Sequence, residues 1–192
     1  MIYITIPRCG SNSIIRSSYD HKHITGFRPT FKPGKPLKEW GSYALWEKLN
    51  KPGFTFTFVR NPWDRCVSSW FLMRSPGKTR KWHFDVSFKE FITNEDIAFH
   101  PPVAYHTWLS QRHHLLDKNG HIGIDYYGKM ENGVQKQIDS LTKRFKLPRL
   151  VIKTHNKSVG KKHYSSYYTD ELIEIVADRC KEDIEAFGYT FK

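Results

Sequence analysis

Phe54-Thr55-Phe56-Thr57-Phe58-Val59-Arg60-Asn61-Pro62-Trp63-Asp64-Arg65-Cys66-Val67-Ser68 reads as an apolar strand that stops at a turn and enters a helix. Such a junction leaves backbone N–H groups without partners at the carboxyl edge of the strand, and the helix dipole adds positive charge there. Arg60 sits at the strand end and Ser68 follows about two helical turns into the next helix, so both can grip one phosphate. A second junction of the same design opens the chain, where Ile2-Tyr3-Ile4-Thr5-Ile6 leads through Pro7-Arg8-Cys9-Gly10 into Ser11-Asn12-Ser13. Gly10 lets the backbone approach a bound oxygen, and Arg8, Ser11, Asn12 and Ser13 supply donors around it. Two anion sites at strand ends are therefore expected.

A Walker loop ends in Gly-Lys-Ser/Thr, whereas Gly10 is followed by Ser11, so that motif is absent and a P-loop-like nucleotide kinase is the weaker reading. Ile6-Pro7-Arg8-Cys9-Gly10-Ser11-Asn12-Ser13-Ile14 looks like a 5′-phosphosulfate loop, and Phe58 to Ser68 like a 3′-phosphate segment. Together they resemble the sulfotransferases that use 3′-phosphoadenosine 5′-phosphosulfate, above all the carbohydrate (heparan- and chondroitin-type) sulfotransferases. Asp125-Tyr126-Tyr127-Gly128-Lys129-Met130-Glu131-Asn132 is similar to the family's Asp-Phe-x-Gly-Arg-x-Glu-Asn, and Asp183-Ile184-Glu185-Ala186-Phe187-Gly188-Tyr189 to its C-terminal ending. Residues 26–53 and 75–107 match poorly and are expected to shape the acceptor site, so the resemblance leaves the acceptor unidentified.

The resemblance implies a role for each matched residue. Arg8 stands where the family places a cation against the oxygen that bridges sulfur and the departing 5′-phosphate; its guanidinium stays charged, so its part is electrostatic. The donor loop is Arg8, Cys9, Gly10, Ser11, Asn12 and Ser13. Arg60 and Ser68 take the 3′-phosphate, joined by Lys161 or Lys162 from the late loop Asn156-Lys157-Ser158-Val159-Gly160-Lys161-Lys162, whose spacing departs from the family by about one residue. A histidine suits removal of the acceptor's proton near neutral pH. His23 in His21-Lys22-His23 is the first candidate, by likeness to a His-x-His element of a heparan-type member. His21 is the second, and His83, His100 and His106 are in reserve. No metal is expected. Trp63, Trp70 and Phe71 are read as packing beside a core helix before adenine platforms.

Composition sets the background. The 192 residues, 39% hydrophobic, suit one compact domain, 1–192, with 75–107 as an insertion or lid on the acceptor side. Met1 runs directly into the first strand and no apolar run approaches a membrane span, so a soluble cytoplasmic protein with no membrane partner is expected. Cys9, Cys66 and Cys180 lack metal-ligand spacing and are expected as reduced thiols. Lys and Arg number 31 against 19 Asp and Glu, a net charge of +12 that attracts anions in general. A non-catalytic nucleic-acid-binding protein is the alternative from another class, but no RNA-binding aromatic motif or paired-cysteine finger is visible, and nucleic acid is the less favoured partner. Lys32, Lys35, Lys38, Arg74, Lys78, Arg80 and Lys81 put basic side chains in the poorly matched segments, pointing to an acidic oligosaccharide or polysaccharide, with Trp82 and Phe84 as faces for ring packing.

Strands alternate with helices along the chain, which favours α/β: a central parallel sheet flanked by helices, with ligands beyond the carboxyl ends of the strands. The family's fold, a P-loop-like nucleotide-binding core, agrees. Strands are predicted at Ile2 to Ile6, Phe54 to Val59 and Ile124 to Tyr127. Helices are predicted at Ser11 to Ser18, at Leu37 to Leu49, around Cys66 to Phe71, briefly at Phe88 to Ile92, through Val134, Ile138, Leu141 and Phe145, and from Thr169 to Phe187 with Gly188 as the stop. Phe27 to Pro36 reads as loop, and Asn119-Gly120 as a hairpin-like turn.

Overall fold

A computed structural model describes residues 1–27, 43, 47, 52–74, 83–153 and 160–192. The predicted helix at Leu37 to Leu49, apart from Tyr43 and Glu47, lies outside them, as do the loop lysines 32, 35 and 38, residues 78–82 and the late loop before Gly160.

Strands β1 (Ile2–Ile4), β2 (Thr25–Phe27), β3 (Thr55–Val59) and β4 (Tyr126–Lys129) form one sheet in the order β2-β1-β3-β4, every pair parallel. The described helices are α1 (Ser11–Ser17), α2 (Pro62–Arg74), α3 (Phe88–Thr93), α4 (Glu95–Ala98), α5 (Pro101–Val103), α6 (Val134–Arg144), α7 (Asp170–Arg179) and α8 (Lys181–Phe187). The expected α/β class, a parallel sheet with flanking helices, is the observed one. The chain packs as two compact units, residues 1–60 with 111–157 and residues 61–110 with 158–192.

The first unit holds the sheet. All of β3 is buried, as its unbroken apolar and β-branched run demands of a central strand. Tyr3, Phe56 and Phe58 pack with Ile14 of α1, Ile138 and Leu141 of α6, Ile24 and Leu150. Asp125 Oδ2 accepts from both the backbone N–H and the hydroxyl of Thr55, each at 2.7 Å, which pins the start of β3 to the approach of β4. A Cβ built at Gly128 would stand 2.0 Å from Gln137 Oε1 and 2.8 Å from Phe58 Cε1, so any side chain there would push aside the Gln137 amide and the Phe58 ring. β4 begins two residues later than the sequence suggested. β2, an edge strand with an exposed first residue, is a strand the sequence reading did not include, and only its last residue, Phe27, falls in the expected loop. Asn119-Gly120 turns as read: Leu116 and Ile122 form an antiparallel bridge, and Asp117 Oδ1 accepts from the N–H groups of Asn119 and His121 at 2.8 and 2.9 Å.

The second unit is built on α2, whose Trp63, Arg65, Cys66, Val67, Ser68, Ser69, Trp70 and Met73 are all buried. Trp63 Nε1 donates to Ile173 O at 3.1 Å and Trp70 Nε1 to Val86 O at 2.9 Å, so both indoles bury their bodies and satisfy their one donor, the packing role expected of them. From Phe88 onward the segment 75–107 is mostly short helices: α3 is capped by Ser87, α4 by Asn94, and α5 runs into a π-helical turn over Ala104–Trp108. Phe88, Phe91, Ile92, Ile97 and Val103 are buried. The predicted single helix from Thr169 is two, broken at Cys180, while the Thr169 cap and the left-handed Gly188 stop (φ 59°) stand as read.

Candidate functional site

The carboxyl edge of the sheet brings the first loop and Arg60 together within the first unit. Beyond β1 the chain turns tightly, with Cys9 N–H donating to Ile6 O at 3.3 Å. Arg8 (φ 64°) and Gly10 (φ 75°) both adopt the left-handed region on either side of Cys9. Glycine takes that conformation at no steric cost, whereas Arg8 is strained by roughly 1 kcal/mol or more. Ser11 Oγ donates to Ile6 O at 2.6 Å and Tyr3 Oη to Cys9 O at 3.2 Å, so side chains staple the loop to its own strand. The Ser11 hydroxyl proton is thus spent on the loop itself. Cys9 is fully buried, and Asn12 and Ser13 stand half-buried in the first turn of α1.

Arg60, one residue past β3, reaches back so that its Nη1 donates to Arg8 O at 3.0 Å. A guanidinium carries its donors in a rigid plane, so this bond orients the group while leaving its charge intact. Gln111 completes the arrangement. It is fully buried; its Oε1 accepts from Arg60 N–H at 2.8 Å and from the Cys9 thiol at 3.1 Å, and its Nε2 donates to Arg60 O at 2.9 Å. Two cationic side chains are therefore carried on backbone that is tied at three points.

His23 is not part of this arrangement. β2 runs parallel to β1 with Thr25 opposite Ile2, so His23 lies at the amino edge of the sheet, where its carbonyl accepts from the Met1 ammonium at 2.6 Å. The rise of β1 alone separates it from the loop by about 10 Å. His21 belongs to the same edge, with Nε2 2.9 Å from Pro148 O and its ring edge-on to that of His23. The family likeness of His-x-His missed this because it read spacing without strand direction.

In the second unit Ser68 is only 4% exposed on α2, and Lys161 is ion-paired with Asp64. The Lys162 backbone N–H donates to Tyr167 Oη at 2.9 Å. The reserve histidines also lie in this unit: a His83 ring nitrogen is 2.8 Å from Arg74 O, His100 packs edge-on against Phe84, and His106 O accepts from Ser69 Oγ. Gln111 was not singled out from sequence; a lone buried glutamine carries no local signal. Among the described residues no group of three or more His, Cys, Asp and Glu side chains is placed to hold a metal ion. No helix of the described residues is long and apolar enough to cross a membrane.

No curated protein and no solved structure matches the chain. The family profile described as the sulfotransferase family matches residues 1–190, nearly the full length, including both strand-end junctions. The chain therefore belongs to the sulfotransferase family.

Proposed function

We propose that this chain moves a sulfuryl group from 3′-phosphoadenosine 5′-phosphosulfate to a hydroxyl of a carbohydrate, more suitably an acidic one. The observation that carries the reading is the bond from Arg60 Nη1 to Arg8 O, which joins two strand-end junctions at the carboxyl edge of one parallel sheet. Ligands of open α/β sheets bind at that edge.

In the reaction the acceptor hydroxyl gives its proton to a base, a histidine or a carboxylate, and its oxygen forms a bond to sulfur while the bond from sulfur to the 5′-phosphate oxygen breaks, releasing adenosine 3′,5′-bisphosphate. Negative charge grows on the departing oxygen. Arg8, with the backbone N–H groups of Gly10 to Ser13, is assigned to meet it, and Arg60 is assigned to the 3′-phosphate. His23, at the far edge, is withdrawn as the base.

The test is binding of adenosine 3′,5′-bisphosphate against ATP and single-stranded DNA, followed by transfer from labelled donor to a glycan panel. At a hundredfold excess over Kd the bisphosphate should stabilise the fold by about 2.7 kcal/mol. Equal stabilisation by ATP, or tighter binding of DNA, would remove the proposal.

A further inference from the structure

We infer that Gln111 is a positioning residue for the sulfuryl donor, holding the first loop and Arg60 at a fixed separation. This rests on the reading that those two elements take the donor. Gln111 meets the backbone N–H and the C=O of Arg60 at 2.8 and 2.9 Å, as a neighbouring strand would, and at the same time accepts from the Cys9 thiol at 3.1 Å. Cys9 lies between the two left-handed residues of the loop. One amide thus reads the position of both junctions.

The chemistry of the amide is specific. Its oxygen accepts two bonds and its nitrogen donates one, all inside a fully buried side chain. Glutamate has nearly the same shape and keeps the acceptor, but it turns the Nε2 contact with Arg60 O into a meeting of two oxygens. Methionine keeps the bulk and removes every bond, leaving the part-buried Arg60 N–H and C=O without Gln111. Freed from these ties, the backbone of Arg60 can rotate, and its guanidinium loses the orientation set by Arg8 O. Reacting groups displaced by about 1 Å can lose two orders of magnitude in rate, so the effect should fall on the donor and on turnover while sparing the acceptor.

The experiment compares wild type, Gln111→Met, Arg60→Ala and the double variant for bisphosphate affinity by calorimetry, and measures donor KM, acceptor KM and kcat. Gln111→Met is expected to weaken bisphosphate binding by about tenfold or more and to lower kcat, with acceptor KM within about twofold. In the Arg60→Ala background the same change should have a clearly smaller effect, because the part that acts through the Arg60 guanidinium is gone and only the tie to the Cys9 loop is left to lose. Full additivity in that cycle, or an unchanged Kd in folded Gln111→Met, overturns the inference. If Gln111→Met fails to fold, Gln111→Glu replaces it in the same cycle with the same criteria. Wild-type protein that does not bind the bisphosphate sinks the donor-site reading itself, a distinct outcome because it is seen before any variant is made.

Discussion

The Arg65 guanidinium and the Asp183 carboxylate lie 3.7 Å apart, Nη1 to Oδ2, with both side chains 1% exposed. Asp183 Oδ1 also accepts from Ser110 Oγ at 2.7 Å, and Arg65 Nη2 donates to Leu109 O at 3.0 Å. Removing one partner strands the other charge in the interior. Asp183→Ala is expected to destabilise the fold by about 3–5 kcal/mol in urea denaturation. A loss below about 1 kcal/mol would mean that water reaches the pair.

Arg8 separates backbone strain from side-chain chemistry. Arg8→Gly relieves the left-handed strain at the expense of a more flexible unfolded chain, so stability should stay within about 1 kcal/mol of wild type. Turnover should fall by about 100-fold or more, since the cation assigned to the leaving oxygen is gone. A thermal melt and a kcat measurement on the same preparation decide both halves.

Arg60→Ala should weaken bisphosphate binding by about 2–4 kcal/mol, and Ser68→Ala by about 1 kcal/mol. Calorimetry measures both directly. An unchanged affinity in folded Arg60→Ala protein would dismiss the 3′-phosphate assignment.

His23→Ala should leave kcat within about threefold of wild type, because the side chain sits at the amino edge of the sheet. A general base contributes about 100-fold or more, so the two outcomes are well separated. A drop of that size would show that the acceptor reaches the amino edge.

The junction at Phe54 to Ser68 was legible because strand, turn and helix are each coded by adjacent residues. β2 was not: Thr25, Gly26 and Phe27 are too few to show a period, and their strand state comes from pairing with Ile2 to Ile4. The break between α7 and α8 has no glycine or proline to announce it. In the candidate site the loop and Arg60 were readable from local composition. Gln111 was not, since its partners Cys9 and Arg60 stand 102 and 51 residues away along the chain.

Cys180 and Tyr168 give an alkaline limit. A hydrogen bond with Cys66, and burial after it, hold the Cys180 thiol well above the ordinary range; burial first, and the nearby Cys66 second, does the same for Tyr168. The folded chain therefore keeps these protons at pH values where the unfolded chain releases them. Stability should be unaffected below about pH 8.5 and should fall as pH rises through the alkaline range. Urea midpoints at pH 7, 9 and 10 test the trend, and a midpoint that rises with pH would contradict it.

For an acidic glycan, apparent KM should climb steeply between about 10 and 150 mM salt, as the screening length shrinks from about 30 to about 8 Å. A neutral acceptor should show little change. Transfer confined to a small uncharged phenol or lipid alcohol would remove the acidic-glycan reading and leave sulfuryl transfer standing.

Every strand finds its partner far along the chain: Ile2 pairs with Thr25 and Thr55, and Phe56 with Tyr126. Among the described residues no hairpin joins two strands of this sheet, and pairings of such long range form slowly. During synthesis at about 5–20 residues per second, about 4–14 s pass between the making of the last residue of β3 and that of the last residue of β4. Through that interval the apolar run Thr55–Val59 offers an open edge to other nascent chains. Yield in a host should therefore respond to holdase chaperones and to lower translation temperature before it responds to any change in the finished fold.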